Sequence, residues 1–248
     1  MLTAGVDLAA DPAGTAVAAV SWSATGATVR TLTVPADDDV IVALAGRADK
    51  IGIDCPLGWP DDFVSFVTAH RTGVVAVPAG VEGKEWRRRL AWRHTDEVVR
   101  TLTGLVPLSV SADRIGHTAM RCAALQSRLA GAGRSVDRSG EGAVVEVYPA
   151  ASLKVWGLPW RGYKTTKNQA ALGAVVDRLL QAAPWLDLGE HEALCRRSDH
   201  ALDAVVAALT ARAAVRDQVC RPAERELPAA RTEGWIAIPT AALSALPG

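Results

Sequence analysis

Charge of one sign is not in excess. The 27 Lys and Arg residues balance 27 Asp and Glu residues over 248 positions, giving a formal net charge of zero and a pI of about 7.0. A nucleic-acid coat held by bulk electrostatics needs surplus Lys and Arg and is excluded; a local basic groove is not. No run approaches the roughly 18 apolar residues needed to cross a bilayer, so no membrane partner is expected. The opening Met-Leu-Thr-Ala-Gly-Val-Asp has no basic region and reaches a carboxylate at Asp7, unlike a signal peptide. Cys55, Cys122, Cys195 and Cys220 form no CxxC pair, which removes zinc-ribbon and thioredoxin motifs. Free thiols in a reducing cytoplasm are the expectation. Gly5 and Gly14 begin no GxGxxG or Walker A pattern, and His94, His117 and His200 lack HExxH spacing. No internal repeat is present, and lysine occurs only at positions 50, 84, 154, 164 and 167.

A hydrophobic content of 49% with 22% charged residues suits a globular chain. A chain this long can bury roughly 70–75% of its unfolded surface without a disulfide or metal staple. Thr3–Leu8, Thr15–Trp22 and Thr28–Val34 read as strands joined by short turns, an antiparallel meander. Asp37, Asp38 and Asp39 offer helix caps before an apolar segment, and Lys50–Asp54 is a fourth strand stopped by Pro56. Helices are expected over Asp61–Arg71, Lys84–Gly104, Gly116–Gly131, Gln169–Ala183 and Ser198–Arg216. A strand is expected over Ala143–Tyr148, and Glu233–Pro239 reads as a short late strand or lid. Pro and Gly at 56–60, 78–83 and 157–162 suggest insertions in one α/β domain spanning 1–248, with a helical insertion around 61–140.

Five carboxylates stand out. Asp7 ends an apolar first strand, where a plain turn-forming Asp is as good a reading as a ligand. Asp54 ends a second apolar strand, at the edge where α/β sheets place their ligands. Asp203 is the only charge from Ala201 to Ala211, in a segment apolar nearly all round and therefore buried. A buried carboxylate requires a cation, a hydrogen-bond donor or a raised pKa, and one of the many arginines could supply the pairing. Asp199 lies about 40° from Asp203 on the helix, or simply favours the helix N-terminus. Glu146 sits in the run Val144–Tyr148. Edge-strand alternation fits it poorly, because Val145 and Val147 would share the face opposite Val144, Glu146 and Tyr148. Carboxylates converging from two strands, a later strand and the last helix form an oxygen-rich cage suited to Mg²⁺ or Mn²⁺ rather than zinc. Two such ions could hold the attacking and leaving oxygens of a phosphodiester.

The β-β-β-α-β order with these three aspartates resembles the RNase H-like fold. Gly5-Val6-Asp7, Ile53-Asp54-Cys55-Pro56-Leu57-Gly58, Arg93-His94-Thr95-Asp96, Glu146-Val147-Tyr148-Pro149, Asp199 with Leu202-Asp203-Ala204, and Glu233-Gly234-Trp235 resemble, in that order, the family catalogued as domain of unknown function 429. Its members are described as predicted RNase H-like nucleases. The resemblance implies a mixed five-stranded sheet, three antiparallel strands then parallel ones, flanked by helices with helical insertions. It implies Asp7, Asp54 and Asp203 as metal ligands, with Glu146 or Asp199 as a fourth, and Arg93 with Asp96 as a charged pair near the site.

Two basic segments remain. Lys84–Arg93 could hold phosphates and stack bases on Trp86 and Trp92, or be an amphipathic helix with a solvated Arg face and Trp86 in the core. Arg161–Lys167 leads into a helix that Thr166 could cap. There Lys164 and Lys167 clamp a phosphate or are solvated. His200 beside Asp199 is expected on the outer side of the helix, and Cys55 is a small buried filler. The expected activity is metal-dependent hydrolysis of a phosphodiester, with nucleic acid as substrate, Asp7, Asp54, Glu146 and Asp203 as catalytic residues, and Arg93, Asp96, Lys164 and Lys167 toward the substrate. The rivals are an actin-like ATP-dependent phosphotransferase, which normally carries a duplicated core, and a non-catalytic binding module.

Overall fold

The protein is described by a computed structural model covering every residue except 76, 78, 81, 82 and 165–167. Strands β1 (Leu2–Asp7), β2 (Ala16–Trp22) and β3 (Ala27–Thr33) form the antiparallel meander. Asp11 makes the first turn, accepting from the Ala13 N–H at 2.8 Å. Asp37 caps α1 (Asp38–Ala45) through the Val40 N–H at 2.9 Å. Strand β4 (Lys50–Asp54) then pairs parallel with β1, and β5 (Val144–Glu146) pairs parallel with β4. The sheet has six strands rather than five, in the order β5-β4-β1-β2-β3-β6. The extra strand, β6 (Leu186–Asp187), is two residues long and parallel to β3. A two-residue strand has no alternation to detect.

Strand alternation assigns each face. Ala4 and Val6 of β1, with Ile51 and Ile53 of β4, pack in one core with Ile41 and Leu44 of α1 and with Cys122, Leu125 and Leu129 of α5 (Ile115–Gly131). The residues between them face the other way, toward α9 (Asp199–Val215), which is buried from Ala201 to Ala214. On that side Gly5 and Gly52 are register partners on neighbouring strands. A Cβ on Gly5 would run into the Ala204 carbonyl and the Ala208 amide nitrogen, and one on Gly52 would lie 2.7 Å from the Ala207 carbonyl oxygen. The two glycines therefore form a seat on which the helix backbone rests directly on the sheet. Thr3 adds a hydrogen bond from its hydroxyl to the Ala208 carbonyl at 3.0 Å. The small residues Ala204, Ala207, Ala208 and Ala211 keep that side of the helix thin.

Within the helical insertion, α2 (Asp61–Arg71) and α3 (Gly83–Ala91) bury no residue. They meet through Trp86, edge-on to Phe66 at 5.7 Å, so Trp86 is half-buried against its neighbour helix instead of joining the core. The single helix expected over Lys84–Gly104 is two, because the chain is extended at Arg93 before α4 (His94–Thr103). Asp96 holds that break by accepting the Arg93 N–H at 2.9 Å. The remaining helices are α6 (Pro149–Val155), α7 (Gln169–Ala182), α8 (Glu192–Cys195) and α10 (Leu227–Glu233). The expected late strand makes only isolated bridges, Ile236 with Glu146 and Pro239 with Val219.

Gly5→Ala is expected to destabilise the protein by about 3 kcal/mol, an overpacking cost that falls on backbone atoms with no rotamer to yield. Gly46→Ala, whose Cβ meets ordinary contacts at 3.5 Å and beyond, is expected to be near neutral. Urea unfolding of the two variants checks the seat; equal stability would refute it.

Candidate metal centre

Asp7 and Asp54 are the last residues of β1 and β4 and are register partners, so their side chains stand side by side at the carboxyl edge of two parallel strands. Both lie two residues past a seat glycine and share its face. Asp203 precedes Ala204, the residue that touches Gly5, so the seated helix delivers its carboxylate to the same place. Ligand oxygens of Asp7, Asp54 and Asp203 all lie within 4.8 Å of one another, and the three could hold a metal ion. Three hard oxygen donors with like charge at that spacing are the donor set a small divalent cation fits.

The electrostatics show the strain of that gathering. Burial, joined by the charges of Asp7 and Asp203, pushes the Asp54 carboxyl well above its ordinary range, against the pull of Lys164. Asp203 is pushed up to about 6, chiefly by burial. Its Oδ1 accepts from the Tyr163 hydroxyl at 2.8 Å, and its Oδ2 lies 2.7 Å from Lys164 Nζ. A buried Asp203 thus has a donor, a cation and a raised pKa, with a lysine as partner in place of an arginine. Burial would lower the Lys164 ammonium, but the carboxylates of Asp203, Asp54 and Asp7 reverse that and raise it.

His200 is exposed, as expected, yet it reaches the cluster. Its Nδ1 is 2.6 Å from Asp7 Oδ2, and that hydrogen bond raises its pKa. It precedes Asp203 by three residues, and residues at that spacing are neighbours on a helix surface. Asp199 is the first residue of α9 and half-buried; Ser198, not Asp199, caps the helix, accepting the Ala201 N–H at 3.2 Å.

Glu146 is held apart from the three aspartates. Val145 of β5 and Val147 just after it pack with Ala207 and Ala211 of α9, while Val144 enters the opposite core. Alternation therefore holds after all, with both faces of the strand apolar. Glu146 is the register partner of Ile53, not Asp54, and turns away from α9. There it meets Arg93, whose Nη2 and Nη1 lie 2.7 and 2.8 Å from its two oxygens. Arg93 also reaches Asp96 through Nη2 at 2.9 Å and Nε at 3.2 Å, and donates to the Glu233 carbonyl at 3.1 Å. Arg93 and Asp96 form the expected pair, but each is only 1% exposed, so neither presents its charge to a substrate at the surface. Beside them Gly234 has φ +100°, and a Cβ there would sit 2.7 Å from Glu146 Oε2. Glu233 accepts the N–H groups of Asp61 at 2.9 Å and His94 at 2.7 Å, one carboxylate for the first residues of two helices. Lys167 and Thr166 lie outside the described residues.

The residues that sequence reading missed are Tyr163 and His200 at the carboxylates, Glu233 as a double cap, and the seat glycines. Only the glycines left a usable trace, a Gly-apolar-Asp triplet repeated at Gly5-Val6-Asp7 and Gly52-Ile53-Asp54. The family described as "Protein of unknown function (DUF429)" matches residues 5–227. The chain belongs to the DUF429 family. No curated protein and no solved structure matches the chain. The matched DUF429 region contains all three aspartates, Lys164 and His200, whereas Glu233-Gly234-Trp235 lies beyond it.

Arg93→Met should cost about 3–5 kcal/mol in urea unfolding, because it strands two buried carboxylates, and Arg93→Met with Glu146→Gln should recover part of that loss. An Arg93→Met protein as stable as wild type would remove the buried cluster from the account. Asp203 has a folded pKa raised from 3.8 to about 6. Its stability contribution is therefore complete below the unfolded value and is lost as pH rises through the folded one. In EDTA, wild type should lose stability relative to Asp203→Asn as pH rises from 3.8 to about 6. A difference that stays flat, or moves the other way, contradicts the shift.

Proposed function

We propose that the protein is a divalent-metal-dependent hydrolase of phosphodiester bonds acting on a nucleic acid. The observation that carries this reading is the meeting of the Asp7, Asp54 and Asp203 oxygens within 4.8 Å at the carboxyl edge of parallel strands. Asp7, Asp54 and Asp203 would hold Mg²⁺ or Mn²⁺, whose oxygen-rich preference they match. When bound, the ion supplies a polarised phosphoryl oxygen and an activated water. Tyr163 fixes the rotamer of Asp203, and His200 orients Asp7. Lys164, on the half-exposed side of the cluster, is the cation nearest to an entering phosphate. Asp199 contributes negative charge beside His200. Lys167 belongs to the same basic segment and is proposed to face the substrate with Lys164. A reducing cytoplasm suits the four free cysteines.

One observation favours a second reading. Asp203 and Asp7 each have an internal partner, in Lys164 and His200, as a non-catalytic module with neutralised carboxylates would require. The described strands form one six-stranded sheet, with no second core of the kind a duplicated actin-like phosphotransferase carries.

Calorimetric titration with Mn²⁺ should give binding that Asp54→Asn abolishes. Since loss of an outer partner alone can cost 10–100-fold, removal of a ligand should lower Mg²⁺-dependent cleavage of labelled DNA or RNA oligonucleotides by at least about 100-fold. At saturation of roughly 100 times the dissociation constant, Mg²⁺ should add about 2.7 kcal/mol of stability. Absence of metal binding in the wild-type protein would end the hydrolase reading and leave the binding module.

A further inference from the structure

We propose that Lys164 is an exchangeable counter-ion that holds Asp203 until a divalent cation takes its place, which makes it a determinant of which cations the site accepts. The inference rests on reading the three aspartates as a cation site.

Two buried acids in this protein are neutralised in opposite ways. Glu146 faces a guanidinium that is 1% exposed and has carboxylate or carbonyl partners on every side. That pairing is enclosed and permanent. Asp203 is equally buried, but its cationic partner is not: the Lys164 side chain is 50% exposed against 2% for Asp203. The ammonium enters from solvent on a flexible four-carbon stem, and the aspartate stays in the wall. The two oxygens of Asp203 also differ. Oδ1 is taken by the Tyr163 hydroxyl, whose residue is 1% exposed and packs in the core with α9. Oδ2 is therefore the oxygen free to ligate, and Lys164 Nζ lies 2.7 Å from it. The same ammonium is the main influence drawing the Asp54 carboxyl down and is itself held by Asp203, Asp54 and Asp7 together. It thus stands where the charge of a bound ion would act.

An ammonium and a divalent ion on the same carboxylate oxygen would hold like charges a few ångströms apart, so binding of one favours departure of the other. A monovalent ion replacing Lys164 gains no charge over the group it displaces. A divalent ion doubles the charge facing three carboxylates, so only it profits from the exchange. Lys164 then swings out toward solvent, where an anionic substrate would arrive.

The chain has five lysines, so protein grown on lysine labelled with ¹³C at Cε gives a spectrum in which Lys164 is assigned by its absence from Lys164→Met. Saturating Mg²⁺ should move that one resonance to the position of a solvent-exposed lysine. By calorimetry, Lys164→Met should bind Mn²⁺ roughly tenfold or more tighter than wild type, the effect of deleting an internal competitor. Arg161→Gln is the control. It removes a positive charge from the same loop, where the guanidinium stacks on Trp160 at 5.3 Å, and should leave the affinity unchanged. A Lys164 resonance unmoved by saturating Mg²⁺, or a Lys164→Met affinity no tighter than that of Arg161→Gln, overturns the proposal. If Lys164→Met folds poorly, Lys164→Arg, which keeps the charge, supplies the assignment and the wild-type spectrum decides. Metal binding with equal affinity in all three proteins refutes only the exchange, whereas no binding in any of them removes the cation site and the exchange with it.

Discussion

Backbone-to-backbone contact between α9 and the sheet is the constraint on which the rest depends. Side chains normally hold a helix about 10 Å from a sheet, and at that distance a short aspartate on the helix would not reach the ends of the strands. Gly5 and Gly52 remove the spacer at two neighbouring points. The cost is conformational, since glycine loses more freedom on folding than any other residue. The return is geometric: Asp203 comes down beside Asp7 and Asp54 because the next residue of the helix has nowhere else to rest. The pattern also explains why each strand ends as it does. The apolar residue between Gly and Asp, Val6 in one strand and Ile53 in the other, anchors the opposite core, so neither aspartate can rotate away without pulling an apolar side chain into water.

Charge is handled behind this arrangement by a second buried cluster. Glu146, Arg93 and Asp96 sit on the other face of β4 and β5, and they tie the Leu57 backbone, α4 and the segment at Gly234 into one unit. Leu57 follows Asp54 by three residues. The Glu146 Oε2 that accepts its N–H at 2.9 Å therefore fixes the course of the chain as it leaves the carboxylate edge. Burying such a cluster is no route to stability in itself, because desolvation cancels much of the attraction. Its service is directional: an arginine fork with five donors has one acceptable geometry, and the loop beside the three aspartates inherits it.

Much of this was legible in the residues. The meander, the fourth strand from Lys50 to Asp54 and the buried helix α9 follow from alternation, turn chemistry and the near-absence of charge between Ala201 and Ala211. So did the convergence of Asp7, Asp54 and Asp203, since apolar strands in parallel place their ends together. The pairing of Glu146 with Arg93 was not legible, because the parity of its strand does not say which face meets the aspartates; only the register with Ile53 reveals it. The exposed position of His200 was foreseen, but its contact with Asp7 was not, because its angle was taken from Asp199 and not from Asp203, the residue that faces the site. Tyr163 and Glu233 were beyond reach, since their partners lie 40 to 172 positions away and no local pattern marks them; Lys164 was singled out as a phosphate contact, but its pairing with Asp203 was not foreseen.

Glu233 has a consequence for the order in which the molecule assembles. The N-terminal turns of α2 and α4 both depend on a carboxylate 172 and 139 residues downstream. Closing contacts of such separation is slow compared with forming a hairpin like β1–β2. On that ground the contacts of Glu233 that complete these two first turns are expected to close after the meander. Docking of the segment around α10 is thus a clasp that closes on two distant parts of the chain at once.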